Sequence, residues 1–162
     1  MKLLKHQEYV VNNKSSNIIC NWARNAGKTF TIAKIIEKHK PQNVLYLCPK
    51  YYNVDQLKNN LNSNYTTNIH TDINDKNINI FFDYVFFDEI LPYNVGIKCK
   101  QSISFVTYNN SNKWLERFFP YCEIYTVDYT EIVKENLLTQ KHIDMTLATN
   151  AKRFKNEYGL LS

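Results

Sequence analysis

The sequence predicts an α/β fold, a mostly parallel sheet flanked by helices, and three observations predict it. Short apolar runs alternate with stretches whose apolar residues recur at helical spacing, the order of a wound sheet rather than of a bundle or a sandwich. The run 84–87 is almost wholly apolar, as a strand buried on both faces must be. Tyr, Phe, Ile and Val are abundant, while Gly and Pro number only 3 and 4, which leaves little chain for flexible linkers.

Taken in order, residues 4–11 carry a helical pattern and 12–17 form a polar turn. Ile18, Ile19 and Cys20 mark a short buried strand over 17–22. It runs straight into Ala23-Arg24-Asn25-Ala26-Gly27-Lys28-Thr29, after which Phe30, Ile32, Ala33, Ile35 and Ile36 recur at helical spacing. A second strand covers 43–48 and is closed by Pro49, and a second helix covers 54–61. The polar stretch 62–77 takes no assignment. Residues 78–82 and 84–87 read as two strands, the latter ending in Asp88-Glu89. There follow a strand over 102–108, a turn at 109–112, a helix bearing Trp114, Leu115, Phe118 and Phe119, and a last strand over 122–127. The tail 139–158 reads as two helical pieces broken near Asn150. No repeat, low-complexity block or linker interrupts the 162 residues, so a single domain over 1–162 is expected.

The net charge of +5 comes almost wholly from Lys, since the arginines are only Arg24, Arg117 and Arg153. Such a balance permits an anionic partner such as nucleic acid without demanding one. Cys20, Cys48, Cys99 and Cys122 are scattered, with no C-x-x-C pair and no His at metal-ligand spacing, so reduced structural thiols are expected. No apolar signal core follows Lys2 and Lys5, and no run approaches the roughly 20 apolar residues that span a bilayer. The expectation is a soluble intracellular protein with no membrane partner.

The chemistry concentrates in two places. Between an apolar strand and an amphipathic helix, Gly27, Lys28 and Thr29 supply what a phosphate loop needs: backbone amides at a helix start, an ammonium for the β and γ phosphates, and a hydroxyl for Mg²⁺. The first glycine of G-x-x-x-x-G-K-T is missing, because Trp22 stands in its place. The second place is Asp88-Glu89 at the end of a buried strand, the edge where open α/β sheets bind ligands. Asp88 suits a metal carboxylate shared with Thr29, and Glu89 a general base for the attacking water. These features together predict an ATP-hydrolysing P-loop NTPase of the ASCE type, with ATP and Mg²⁺ as cofactors. Arg24, inside the loop, either stabilises charge on the γ phosphate in cis or pairs with a surface carboxylate. His39, His70 and His142 have no partner at readable spacing, the Trp114, Phe118 and Phe119 stripe is read as core, and the lysines over 34–40 as a solvated helix face.

The segment 20–29 resembles the deviant Walker A motif of the large terminases of tailed phages, which replaces the first glycine and carries an Arg before G-K-T. Leu4-Lys5-His6-Gln7 is similar to that family's adenine-binding motif, with Gln7 reading the adenine edge and His6 packing beside it. Thr107-Tyr108-Asn109-Asn110 followed by Trp114 resembles the coupling motif, and Phe154-Lys155-Asn156-Glu157-Tyr158 the F-x-x-E-Y element that closes the ATPase domain. The resemblance implies a DNA-packaging motor domain that couples ATP hydrolysis to movement of double-stranded DNA into a capsid. Catalysis would fall to Glu89, Arg24 and Lys28. ATP would be bound by His6, Gln7, Ala23, Arg24, Asn25, Ala26, Gly27, Lys28, Thr29 and Phe30, with Thr29 and Asp88 on Mg²⁺ and Thr107 and Asn109 coupling.

It further implies a portal protein and a small terminase subunit as partners, a homo-oligomeric ring when active, a monomer in isolation, and a place in the cytoplasm of an infected host cell. Tyr108 and Asn110 depart from the Pro and Gly of the coupling motif, and Thr107 and Asn109 can also be read as plain turn formers. No Arg lies between Leu61 and Tyr84 to serve as a trans-acting finger, a role that Lys76, Lys98, Lys100 or Arg117 would have to take. The family's nuclease domain is expected to be missing, since it would begin just after Tyr158. The alternatives are a helicase-like or repair ATPase, and a non-catalytic nucleotide-binding module that regulates a terminase.

Overall fold

The structure, a computed structural model, describes residues 2–13, 17–49, 52–90, 96–108, 115 and 122–139. Its contacts divide the chain into two compact units, Met1–Tyr129 and Thr130–Ser162. The first unit begins with α1 (Lys5–Asn12), β1 (Ile18–Trp22), α2 (Lys28–His39), β2 (Asn43–Leu47), α3 (Tyr52–Asn60) and β3 (Asn68–His70). It continues with β4 (Phe81–Asp88), β5 (Lys98–Thr107) and β6 (Glu123–Val127). A helix, α4 (Tyr129–Thr139), carries the chain from the end of the first unit into the second. No described helix is long and apolar enough to cross a membrane.

The six strands form one sheet in the order β3-β2-β4-β5-β1-β6, and every neighbouring pair is parallel. The fold class is thus α/β with helices flanking a parallel sheet, and the sheet is more uniform than the sequence implied. Every residue of β1 is buried, and so are the last five of β4, because a parallel strand has helices or loops over both faces. Along β2 and β4 alternate residues part to opposite faces: Leu45, Leu47, Val85 and Phe87 lie on one of them, in a cluster that also takes in Phe82 from the start of β4. On the other, Tyr84 and Phe86 stack with ring centroids 5.5 Å apart.

Two expected strands, 78–82 and 84–87, are one strand, β4. Asp83 does not break it: its carboxylate leaves the sheet edge to accept from the Gln42 amide at 2.9 Å and the Asn43 amide at 3.1 Å, where β2 begins. Ile78 instead belongs to a turn organised by the buried Asn77, whose side chain accepts from the Asn74 amide at 2.8 Å and donates to Asp72 O at 2.7 Å. The unassigned stretch 62–77 contains β3, too short and polar to show a strand period. β5 begins at Lys98 rather than at 102, pairing Lys98 and Cys99 with Phe81 and Phe82. The helix α4 covers residues that took no assignment from their pattern, save Thr139 at its end. The expected helix around Trp114, the turn at 109–112 and the tail beyond Thr139 lie outside the described residues, apart from Leu115, which is buried against Ile19 and Val106.

Candidate functional site

The site forms where β1, β4 and β5 end side by side. Parallel pairing sets Trp22 beside Thr107 and Asp88 beside Phe105, so the residues following β1, β4 and β5 emerge at one edge of the sheet. Only β5 stands between the strand that precedes the glycine loop and the strand that carries the carboxylates.

The loop after β1 is anchored on both sides. The Ala23 amide donates to Val127 O at 2.8 Å, and the Tyr108 amide donates to Trp22 O at 2.6 Å. Asn25 and Gly27 then take left-handed backbone angles, φ +65° and +79°, which turn the chain back over the strand end. Gly27 is the N-cap of α2, and the first intrahelical bond runs from the Thr31 amide to Gly27 O at 2.9 Å. The amides of Lys28, Thr29 and Phe30 therefore have no carbonyl within the helix to donate to, and they sit at its positive end. That is the electrostatic preparation for an anion.

Gly27 has a second reason to be glycine. A Cβ there would lie 2.4 Å from Gln7 Nε2. Gln7 is buried beneath the loop with both ends of its amide engaged, Nε2 donating to Ala26 O at 3.1 Å and Oε1 accepting from the Leu4 amide at 2.9 Å. His6 Nε2 reaches the same Ala26 O at 2.9 Å, which places the ring proton on Nε2, and the His6 ring meets Trp22 edge-on at 4.6 Å. Trp22, where a glycine was missed, is fully buried and fills the space under the loop with Phe105.

The Lys28 ammonium donates to Ala23 O at 3.3 Å and pairs with Glu89 Oε1 at 3.5 Å. Burial depresses its pKa, against the pull of the Glu89 and Asp88 carboxylates; the Arg24 charge is close enough to push the same way as burial. Arg24 itself is exposed on the loop, as is Asn25, and Phe30 is half-buried beneath the Lys34 ammonium, 5.2 Å from its ring centroid.

Thr29 Oγ1 donates to Asp88 Oδ2 at 3.3 Å. Asp88 is buried, and burial raises its carboxyl above the ordinary range; the Glu89 charge adds to this, while bonds from Tyr46 and Thr29 and the Lys28 charge oppose it. Among the described residues no three His, Cys, Asp or Glu side chains group into a metal cage. Thr29 and Asp88 instead offer hard oxygens side by side, a fit for Mg²⁺, which keeps several waters and takes other ligands from phosphates.

Glu89 leaves β4 with φ +62°, rare for a residue with a Cβ, and its amide donates to Phe105 O at 2.8 Å. That turn aims the carboxylate at the end of β5, where Thr107 Oγ1 donates to Oε1 at 2.6 Å and the Thr107 amide to Oε2 at 3.3 Å. Lys28, Thr29, Asp88, Glu89 and Thr107 are thus brought together. His6, Gln7, Ala26 and Gly27 adjoin them, and Asn109 lies outside the described residues, as do Trp114, Arg117 and the 154–158 element.

Tyr46 was missed by the sequence reading. Its hydroxyl donates to Asp88 Oδ2 at 2.5 Å, and burial followed by the Asp88 charge pushes the phenol pKa up, so it stays a donor. The signal was a single phenol in the apolar run 44–47, since a buried tyrosine hydroxyl needs a partner. No family model matches the chain, and no curated protein matches it.

Proposed function

We propose that the chain is a Mg²⁺-dependent ATPase and that it serves as the motor domain of a DNA-packaging terminase. The observation that carries the ATPase reading is the meeting of Lys28, Thr29, Asp88 and Glu89 at one sheet edge, against a helix N-terminus. The finer fold assignment, a P-loop NTPase of the ASCE type, belongs to the same proposal.

In this reading the amides at the start of α2 and the Lys28 ammonium hold the β and γ phosphates of ATP. Thr29 and Asp88 would hold Mg²⁺, which when bound neutralises charge on those phosphates. Glu89 accepts a proton from the attacking water as its oxygen bonds to the γ phosphorus and the bond to ADP breaks. Arriving phosphates compete with Glu89 for Lys28, which frees the carboxylate for that task. Arg24, on the exposed face of the loop, supplies a second cation, and Thr107 ties the base to the end of β5.

The packaging half of the reading rests on the resemblance of the loop, the Thr107 segment and the 154–158 element to terminases. It brings with it double-stranded DNA, a portal protein and a small terminase subunit as partners, a homo-oligomeric ring, and the host cytoplasm as the place of action.

Steady-state ATP hydrolysis across a protein concentration series, with and without duplex DNA, tests both halves. Glu89→Gln is expected to lower kcat by about 10²–10⁴-fold, the range for loss of a positioned base. Turnover that rises faster than protein concentration and responds to duplex DNA supports the motor. Stimulation by single-stranded DNA alone would favour a helicase-like ATPase, and ATP binding without Glu89-dependent turnover a regulatory module.

A further inference from the structure

The proposed chemistry leaves Tyr46 without a task, although its side chain is fully buried. Register explains how it reaches the site. Tyr46 pairs with Phe86 across β2 and β4, so Asp88 is its diagonal neighbour, two residues on and on the same face. That separation is bridged only by a long side chain. The phenol spans it and donates to Asp88 Oδ2 at 2.5 Å, the same oxygen that accepts from Thr29 Oγ1 at 3.3 Å.

A phenylalanine would fill this space without burying a polar atom, and a buried hydroxyl costs free energy unless it is bonded. The hydroxyl is therefore retained for what it holds. It is bonded to one of the two residues that would bind the cation, and the Tyr46 and Thr29 bonds to Asp88 both fall on Oδ2. With that oxygen pinned from two sides, the carboxylate cannot rotate freely and Oδ1 is the oxygen left to an ion.

We propose that Tyr46 is a positioning residue for the divalent cation of MgATP, fixing the Asp88 carboxylate, to which the Thr29 hydroxyl is also bonded, so that both face one ion. The proposal rests on the ATPase reading given above. Partners that orient a metal ligand are worth about 10–100-fold in metal affinity.

The experiment uses the full chain and a fluorescent ATP analogue, first in EDTA and then along a MgCl₂ titration, for the wild type, Tyr46→Phe, Asp88→Asn and the double variant. Tyr46→Phe is expected to keep its metal-free nucleotide affinity while needing about tenfold more Mg²⁺ for half-saturation. It should add nothing in the Asp88→Asn background, because the two act through one group. An unchanged Mg²⁺ requirement overturns the proposal, as does an undiminished effect in the double variant. Joint loss of metal-free binding and thermal stability would also overturn it, by assigning Tyr46 to the core alone. A wild type whose nucleotide binding ignores Mg²⁺ would overturn the ATPase reading and this proposal with it, before any substitution is compared.

Discussion

Asp88 is placed where a carboxylate is worst off without a cation: buried, with its bonds supplied by neutral hydroxyls and its neighbour Glu89 also acidic. Its folded pKa is raised above the unfolded value of about 3.9, so between those two pKa values the folded state binds the extra proton. Stability is then highest below the unfolded pKa and falls as pH rises through the folded one. Asp88→Asn removes that loss. In EDTA at neutral pH the variant should melt above the wild type. The difference should vanish toward pH 3, and a variant that melts lower at pH 7 would contradict the account. Thr107 makes the complementary case for function. Thr107→Val deletes the hydroxyl bond to Glu89 and keeps the amide bond, so kcat should fall about 10–100-fold through a misplaced base, with KM for ATP unchanged. A rise in KM with kcat intact would move Thr107 from holding the base to holding nucleotide.

The elements around the glycine loop are fitted to one another more tightly than their sequences disclose. The G-K-T tripeptide between strand and helix was legible, and so were the carboxylates ending an apolar strand, because local pattern and chemistry coincide there. What was not legible came from other elements. Nothing in residues 4–7 says that the Gln7 amide will bridge Leu4 N to Ala26 O, and nothing in β2 names Asp88 as the partner of Tyr46; both depend on strand order and register, which are long-range. Asp83 misled for the same reason, since its partners, the Gln42 and Asn43 amides, lie where another strand begins. The close approach of α1 to the loop carries its own expectation. Gly27→Ala combines a strained left-handed angle with a Cβ 2.4 Å from Gln7 Nε2, and should destabilise the chain by more than about 1 kcal/mol while displacing α1. Thermal melting together with hydrogen exchange at the α1 amides checks it: a normal melt with α1 still protected would mean that Gln7 simply yields.

At the scale of the whole molecule, the site exists only when the sheet does. Thr29 and Asp88 are separated by 59 positions, Gln7 and Ala26 by 19, Glu89 and Thr107 by 18, and the strands that join them pair across the centre of a six-stranded parallel sheet. An unfolded chain cannot hold such a set together, so a ligand of this site binds the folded state and stabilises it by mass action. At about 100 times its Kd, MgATP should contribute about 2.7 kcal/mol. Spread over a chain of this size that is a rise of roughly 5–10 °C in Tm. Lys28→Ala should abolish the rise, because it removes the ammonium that the phosphates would meet, and ATP in EDTA should produce only part of it, because Thr29 and Asp88 would then have no cation to share. Differential scanning fluorimetry with ATP, MgCl₂ and the pair measures all three. An equal rise in the wild type and Lys28→Ala would place nucleotide binding away from this edge, and no rise with MgATP at any concentration would leave the convergence of Lys28, Thr29, Asp88 and Glu89 to be explained by something other than a nucleotide.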